Sequence, residues 1–122
     1  MTFSFAQLVG RYSLVVSPEL LAFVERTFID PAPVTEREAV RAEALAEAAA
    51  AQLVIEPDGT LISRAGAVEF YRIQLPAGPG RLEQLAFEKA PGQSVVLRML
   101  DADTVVAAQP GKPDAVFRRE TT

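Results

Sequence analysis

Few kinds of side chain in this sequence could do chemistry. The 122 residues include no cysteine and no histidine. This excludes disulfides, zinc thiolate sites, thiol nucleophiles and imidazole bases or metal ligands. Carboxylates, Lys89, Lys112, Tyr12, Tyr71 and scattered hydroxyls remain. No pattern among them predicts a catalytic centre, so an enzyme is the least favoured class, and we expect neither a cofactor nor a metal.

Asp101 and Asp103 form a close acidic pair in a predicted loop. Together with waters, such a pair could bind a hard cation such as Mg²⁺. The segment lacks the third acidic ligand and the glycine of a calcium loop. Aspartate is also frequent in tight turns, because its side chain hydrogen-bonds to nearby backbone. A structural turn is therefore the favoured interpretation.

Further carboxylates lie on two successive predicted strands, with Glu69 on one and Glu83 and Glu88 on the next. A pair opposed across a cleft could act in acid–base catalysis. Alternation along a strand places such charges on the solvated face of a sheet. The solvated position is the favoured interpretation.

Length and charge restrict the class of protein and its partners. A chain of 122 residues fits one domain, 1–122. Its net charge of −4 and its lack of a basic stripe argue against nucleic acid or an anionic membrane surface as partner. The first ten residues carry no positive charge, and no uncharged run approaches the ~18 residues of a spanning helix. A cytoplasmic location is expected.

Two helices are predicted after a first strand over residues 8–16. Ser17 can cap the first helix and Pro18 suits its first turn, with apolar residues at helical spacing up to Phe28. The second helix is predicted from Thr35, with the capping-box spacing of Thr35 and Glu38, to about residue 51. The helical insert therefore covers about residues 18–52.

After residue 52 the pattern alternates with period two. An Asp58-Gly59 turn predicts a hairpin between 53–55 and 60–63. Further strands are predicted at 68–75, 82–89, 94–100, 104–108 and 115–119, with turns that include 76–80 and 110–113. The fold class is mainly β (α+β): a curved antiparallel meander of about eight strands forming a small barrel or half-barrel, with two helices after the first strand.

This order resembles the calycin group, the lipocalins and the intracellular fatty-acid-binding proteins. Gly10-Arg11-Tyr12 lies on the first strand, where that group usually has Gly-x-Trp. Two helices follow the first strand, as in the fatty-acid-binding branch, and the chain closes on Val116-Phe117-Arg118-Arg119. The resemblance implies that Arg118 or Arg119 covers Tyr12 at the closed end of a barrel.

The resemblance also implies a place for a ligand. In the fatty-acid-binding branch, an arginine two positions before the last-strand aromatic residue helps to bind a carboxylate. Here that position is Ala115, and Arg98 on an inner strand is the candidate substitute.

Two functions are therefore weighed. The first is binding of a small apolar or amphipathic molecule between sheet and helices, with Arg72 or Arg98 meeting an acidic group. Its apolar wall would come from Tyr71, Phe87, Met99 and Phe117, which could equally fill a solid core. The second is a non-catalytic interaction module, a half-barrel completed by homodimerisation or by a protein partner.

Overall fold

A closed antiparallel β-barrel dominates the computed structural model, which describes residues 2–65, 67–74 and 82–120. Eight strands follow one another around the barrel in chain order, and the last pairs with the first. The strands are β1 (Gly10–Val15), β2 (Gln52–Ile55), β3 (Thr60–Ala65), β4 (Ala67–Gln74), β5 (Leu85–Ala90), β6 (Gln93–Asp101), β7 (Thr104–Ala108) and β8 (Ala115–Arg119). The predicted fold class is confirmed, and the barrel is closed.

The helical insert lies between β1 and β2. Helix α2 (Pro18–Val24) continues into a π-helical turn (Glu25–Ile29), and a 3₁₀ turn (Val34–Glu36) leads into α3 (Arg37–Ala50). The Ser17 hydroxyl accepts a hydrogen bond from the Leu20 amide at 3.1 Å, as expected for the predicted cap. None of the helices in the described ranges is long and apolar enough to cross a lipid bilayer.

The predicted capping box at Thr35 and Glu38 is wrong. Glu36 occupies the cap position of α3 and no side chain caps it, because the chain enters the helix through the 3₁₀ turn. Arg37 instead reaches back, and its guanidinium donates to the carbonyls of Asp30 and Ala32 at 2.9 and 3.1 Å. These bonds fix the proline-rich corner between the two helices.

A short helix that precedes β1 was not predicted. Helix α1 (Phe5–Leu8) is a single turn, and the backbone amide of Ser4 donates to the Gln7 side chain at 2.8 Å. Because Leu8 belongs to this turn, β1 begins at Gly10 rather than at residue 8. The predicted turn at 76–80 lies outside the described residues.

Side chains alternate along each strand, so one set of them lies inside the barrel.

The barrel has two different ends. Consecutive connections of a meander lie at opposite ends, so the helical insert and the β3–β4, β5–β6 and β7–β8 connections share one end, the open end. Large side chains fill the other end, the closed end. Its buried residues include Phe3, Leu8, Tyr12, Ile55, Leu85, Leu97, Met99 and Val105.

Arg119 ties the closed end together. Its guanidinium lies 4.8 Å from the ring centroid of Tyr12 and donates to the carbonyls of Gln7 and Val9 at 2.6 and 2.9 Å. It also approaches the carbonyl of Ala102 at 3.3 Å. One side chain on β8 thus binds α1, β1 and the β6–β7 turn, whereas Arg118 is exposed on the outer face.

Gly10 makes room for this contact. Its φ of 151° is unfavourable for other residues, and a Cβ at this position would collide with Nη1 of Arg119. The sequence Gly10-Arg11-Tyr12 therefore supplies both the aromatic ring under Arg119 and the space beside it.

We expect Arg119→Ala to lower the free energy of unfolding by about 2–4 kcal/mol, because it removes charged hydrogen bonds and a cation–π contact together. Chemical denaturation of the purified protein measures this change. Arg118→Ala, one residue away and exposed, is the matched control and should stay within about 0.5 kcal/mol of the parent. Equal losses in the two variants would show that the Arg119 contacts do not stabilise the barrel.

Candidate functional site

An apolar cavity lies at the open end of the barrel, below α2. Its volume is about 160 Å³. Small side chains leave the space: Ala51, Ser63, Ala65, Ala107 and Ala115 all line it. The larger apolar lining residues are Leu14, Leu20, Phe23, Leu53, Leu61, Val95 and Phe117. We call this space the mouth cavity.

An apolar groove continues from the mouth cavity between the helices. It measures about 340 Å³, and it shares Leu14, Ala51 and Ala65 with the mouth cavity. Its other walls come from α2, from the π-helical turn and from one face of α3, and they are Val24, Phe28, Val40, Glu43, Ala44, Glu47 and Ala48.

An ion pair holds the two helical segments on either side of this groove. The guanidinium of Arg41 on α3 donates to both carboxylate oxygens of Glu25 in the π-helical turn, at 2.7 and 3.2 Å. The hydrogen bond from Arg41 holds the pKa of Glu25 below its usual value of 4.5. Both side chains are about two-fifths exposed, so the pair positions the helices more than it stabilises the fold.

A polar recess adjoins the mouth cavity at the same end. Its side chains come from β4, β5, β6 and the β7–β8 loop, and its volume is about 260 Å³. The lining includes Glu69, Tyr71, Lys89, Ser94, Gln109 and Lys112. Gln109 and Lys112 line both the recess and the mouth cavity, so an apolar space and a polar one meet at these two residues.

Glu69 and Lys89 neutralise each other within the recess. Lys89 Nζ donates to Glu69 Oε2 at 2.7 Å, and the Tyr71 hydroxyl donates to the same oxygen at 3.0 Å. The hydrogen bond from Lys89, and then that from Tyr71, hold the pKa of Glu69 below 4.5. Burial, and next the hydrogen bond to Glu69, raise the pKa of Tyr71. Glu69 is therefore ionised and Tyr71 protonated at neutral pH.

The two arginines predicted to meet an acidic ligand lie on the outside of the barrel. Arg72 is exposed, and its Nη1 donates to the Thr60 hydroxyl at 2.8 Å. Arg98 is exposed, and its Nη2 lies 3.7 Å from Asp114 Oδ2. Alternation explains both positions, since their strand neighbours Tyr71, Leu97 and Met99 point inward. Neither arginine lines the mouth cavity.

The predicted apolar wall is divided between core and cavity. Phe87 and Met99 are buried in the packed interior and do not line the mouth cavity. Phe117 does line it, and Tyr71 lies in the adjoining recess. The prediction therefore located one wall residue of the cavity and one residue of its polar neighbour.

Lys112, Gln109, Leu20 and Phe23 were missed as site residues. The apolar spacing of α2 was visible in the sequence, but nothing showed that Leu20 and Phe23 would cover a barrel mouth. Pro110-Gly111-Lys112 was interpreted only as a hairpin loop. The loop does turn there, and the amide of Lys112 donates to the Gln109 carbonyl at 3.3 Å.

Asp101 and Asp103 form the favoured turn. The backbone amide of Asp103 donates to Asp101 Oδ1 at 2.8 Å. Within the ranges that the structure describes, no group of three or more acidic side chains could hold a metal ion.

No model of a known protein family, no curated protein and no solved structure matches the chain. The functional argument therefore depends on the geometry of the site. The closed eight-stranded barrel is compatible with the calycin resemblance.

We expect both tyrosines to ionise above the ordinary value of 10.0, because burial is the main cause that raises the pKa of Tyr12 and of Tyr71. The unfolded chain releases these protons first. The contribution of the two tyrosines to the free energy of unfolding should therefore be constant below about pH 10 and be lost as the pH rises through their native pKa values. Near-ultraviolet absorbance titrations of native and denatured protein measure the difference.

Tyr71→Phe is the control for this titration, since it leaves Tyr12 as the single phenol. Native and denatured curves that coincide would contradict the burial of both hydroxyl groups.

Proposed function

We propose that this chain is a calycin-like binding protein for a small apolar or amphipathic molecule, held between the sheet and the helices. The closed meander barrel, the helical insert after β1 and the stacking of Arg119 on Tyr12 support this family assignment. The mouth cavity is the observation that carries the functional proposal.

The size of the mouth cavity fits a small molecule. An apolar protein cavity of roughly 150 Å³ stays dry and accepts a molecule the size of benzene. The mouth cavity has about this volume, and most of its lining is aliphatic or aromatic. A ligand would restore the van der Waals contacts that the alanine positions leave unmade. The binding free energy would come mainly from apolar surface, at about 25 cal/mol per Å² buried.

The helices provide the cover of this site. Leu20 and Phe23 of α2 line the mouth cavity from above, and the groove beside them opens between α2 and α3. Phe23 packs edge-on against Phe28, with ring centroids 6.3 Å apart. A ligand would enter beside this helical segment rather than between strands, since the barrel strands themselves are paired on both sides.

The closed barrel is also relevant to the alternative function, an interaction module built on a half-barrel. A half-barrel module requires an open edge strand to pair with a second copy or a partner. Each of the eight described strands pairs with two neighbours, including β1 with β8 through Tyr12 and Arg119. Binding in the mouth cavity is therefore the better supported function, and a homodimer stays a prediction for sedimentation to measure.

Filling the mouth cavity should weaken binding. Ala115 points inward on β8 and lines the cavity, so Ala115→Phe would occupy the space that a ligand needs. We expect toluene to perturb the NMR amide shifts of Leu53 and Ala107 in the parent protein. The affinity should be at least about tenfold weaker in Ala115→Phe, the equivalent of about 1.4 kcal/mol.

Ala86→Phe is the matched control, because Ala86 lies between inward-facing neighbours on β5 and does not line the cavity. It should leave toluene binding unchanged. Shift changes spread over the surface, or equal binding by the two variants, would contradict a site in the mouth cavity.

A further inference from the structure

The polar recess adds a requirement for charge to the site in the mouth cavity. Three ionised side chains line it: Glu69, Lys89 and Lys112. Glu69 and Lys89 form an ion pair at 2.7 Å. Lys112 makes no side-chain hydrogen bond or ion pair with any residue in the described ranges. The recess therefore has one uncompensated positive charge, on a protein whose net charge is −4.

Lys112 lies where its positive charge can contact a ligand in the mouth cavity. It lines the mouth cavity and the recess at once. The positive charge of Lys112 also acts on Glu69 in the recess, because it is among the lesser causes that lower the pKa of Glu69. Gln109, the other residue shared by the two spaces, directs its amide nitrogen toward the Tyr71 hydroxyl at 3.5 Å. This distance is too long for a strong hydrogen bond, so the amide retains capacity to donate to another acceptor.

The loop that carries Lys112 is restrained before any ligand binds. Pro110 and Pro113 flank it and fix two φ angles, and Gly111 takes a φ of 76°. The amide of Lys112 closes the turn on the Gln109 carbonyl. The restrained backbone loses little conformational entropy when a ligand binds, so the entropic cost of the contact falls mainly on the exposed Lys112 side chain.

We propose that the ligand of the mouth cavity is a small organic anion whose apolar part fills the cavity and whose anionic group binds the ammonium of Lys112, with Gln109 as a second donor. This inference rests on the proposed function. The cavity volume limits the apolar part to about one phenyl ring or a short alkyl chain. The arginines on the outer face take no part.

The experiment compares phenylacetate with phenylacetamide, which have nearly the same shape and differ in charge. Calorimetry or NMR titration at low ionic strength should show phenylacetate binding about fivefold more tightly to the parent protein, as expected for one partly exposed ion pair. High salt should reduce the preference, since it screens such a pair.

Three variants test whether Lys112 causes the preference for phenylacetate over phenylacetamide. Lys112→Gln should bind both probes with the affinity of phenylacetamide, and Lys112→Arg should restore most of the preference. Arg118→Gln changes the net charge equally at the closed end of the barrel and should leave the preference intact. A loss of preference in Arg118→Gln equal to that in Lys112→Gln would indicate a general effect of net charge and overturn the inference.

The failure of this inference is distinguishable from the failure of the proposed function. If toluene and phenylacetamide bind in the mouth cavity but phenylacetate binds no more tightly, the inference of an anionic ligand is wrong and the binding function stands. The same holds if the preference persists in Lys112→Gln. If none of the probes perturbs the cavity residues, both proposals are wrong.

Discussion

The contact between Arg119 and Tyr12 is the constraint on which the barrel depends. It joins the last strand to the first at the position where a meander of eight strands must close. The Tyr12 hydroxyl donates to the Leu8 carbonyl at 2.7 Å, so the same ring also fixes α1 over the closed end. Gly10 suits this position because its φ of 151° is unfavourable for other residues and because a Cβ would displace Nη1 of Arg119.

Closing one end with large side chains leaves the other end free for small ones. Tyr12, Ile55, Leu85 and Met99 pack the closed end. Five alanine or serine side chains line the open end, and the helical insert covers it. A barrel of eight strands has an interior that either fills with side chains or holds one small ligand. This chain does both, at opposite ends of one interior.

The strand pattern was predictable because each local signal agreed with the final fold. Period-two alternation, the Asp58-Gly59 turn and the Ser17-Pro18 helix start all depend on residues close in sequence. Strand ends were less accurate: β5 begins at Leu85, because Leu82 pairs instead with Phe3 through backbone bonds of 2.7 and 2.8 Å. That contact joins segments far apart in sequence, and no local pattern could show it.

The candidate site was harder to predict for the same reason. Arg72 and Arg98 were reasonable candidates by residue type, but one step of register along a strand moves a side chain from the interior to the surface. Lys112 was not predicted as a site residue, because its importance arises from two neighbouring spaces that the eight strands and α2 build together. Whether a charged side chain has an ion-pair partner depends on the folded structure and not on the local sequence.

The closing pair of strands also has a consequence for the order of folding. Most neighbouring strands are joined by short connections, whereas β1 and β8 pair Tyr12 with Arg119 across nearly the whole chain. Bringing such distant segments together costs loop-closure entropy that the hairpins do not require. The meander can therefore assemble hairpin by hairpin while its two outer strands are still apart. Arg119 would then act late, as the residue that converts an open curved sheet into a ring.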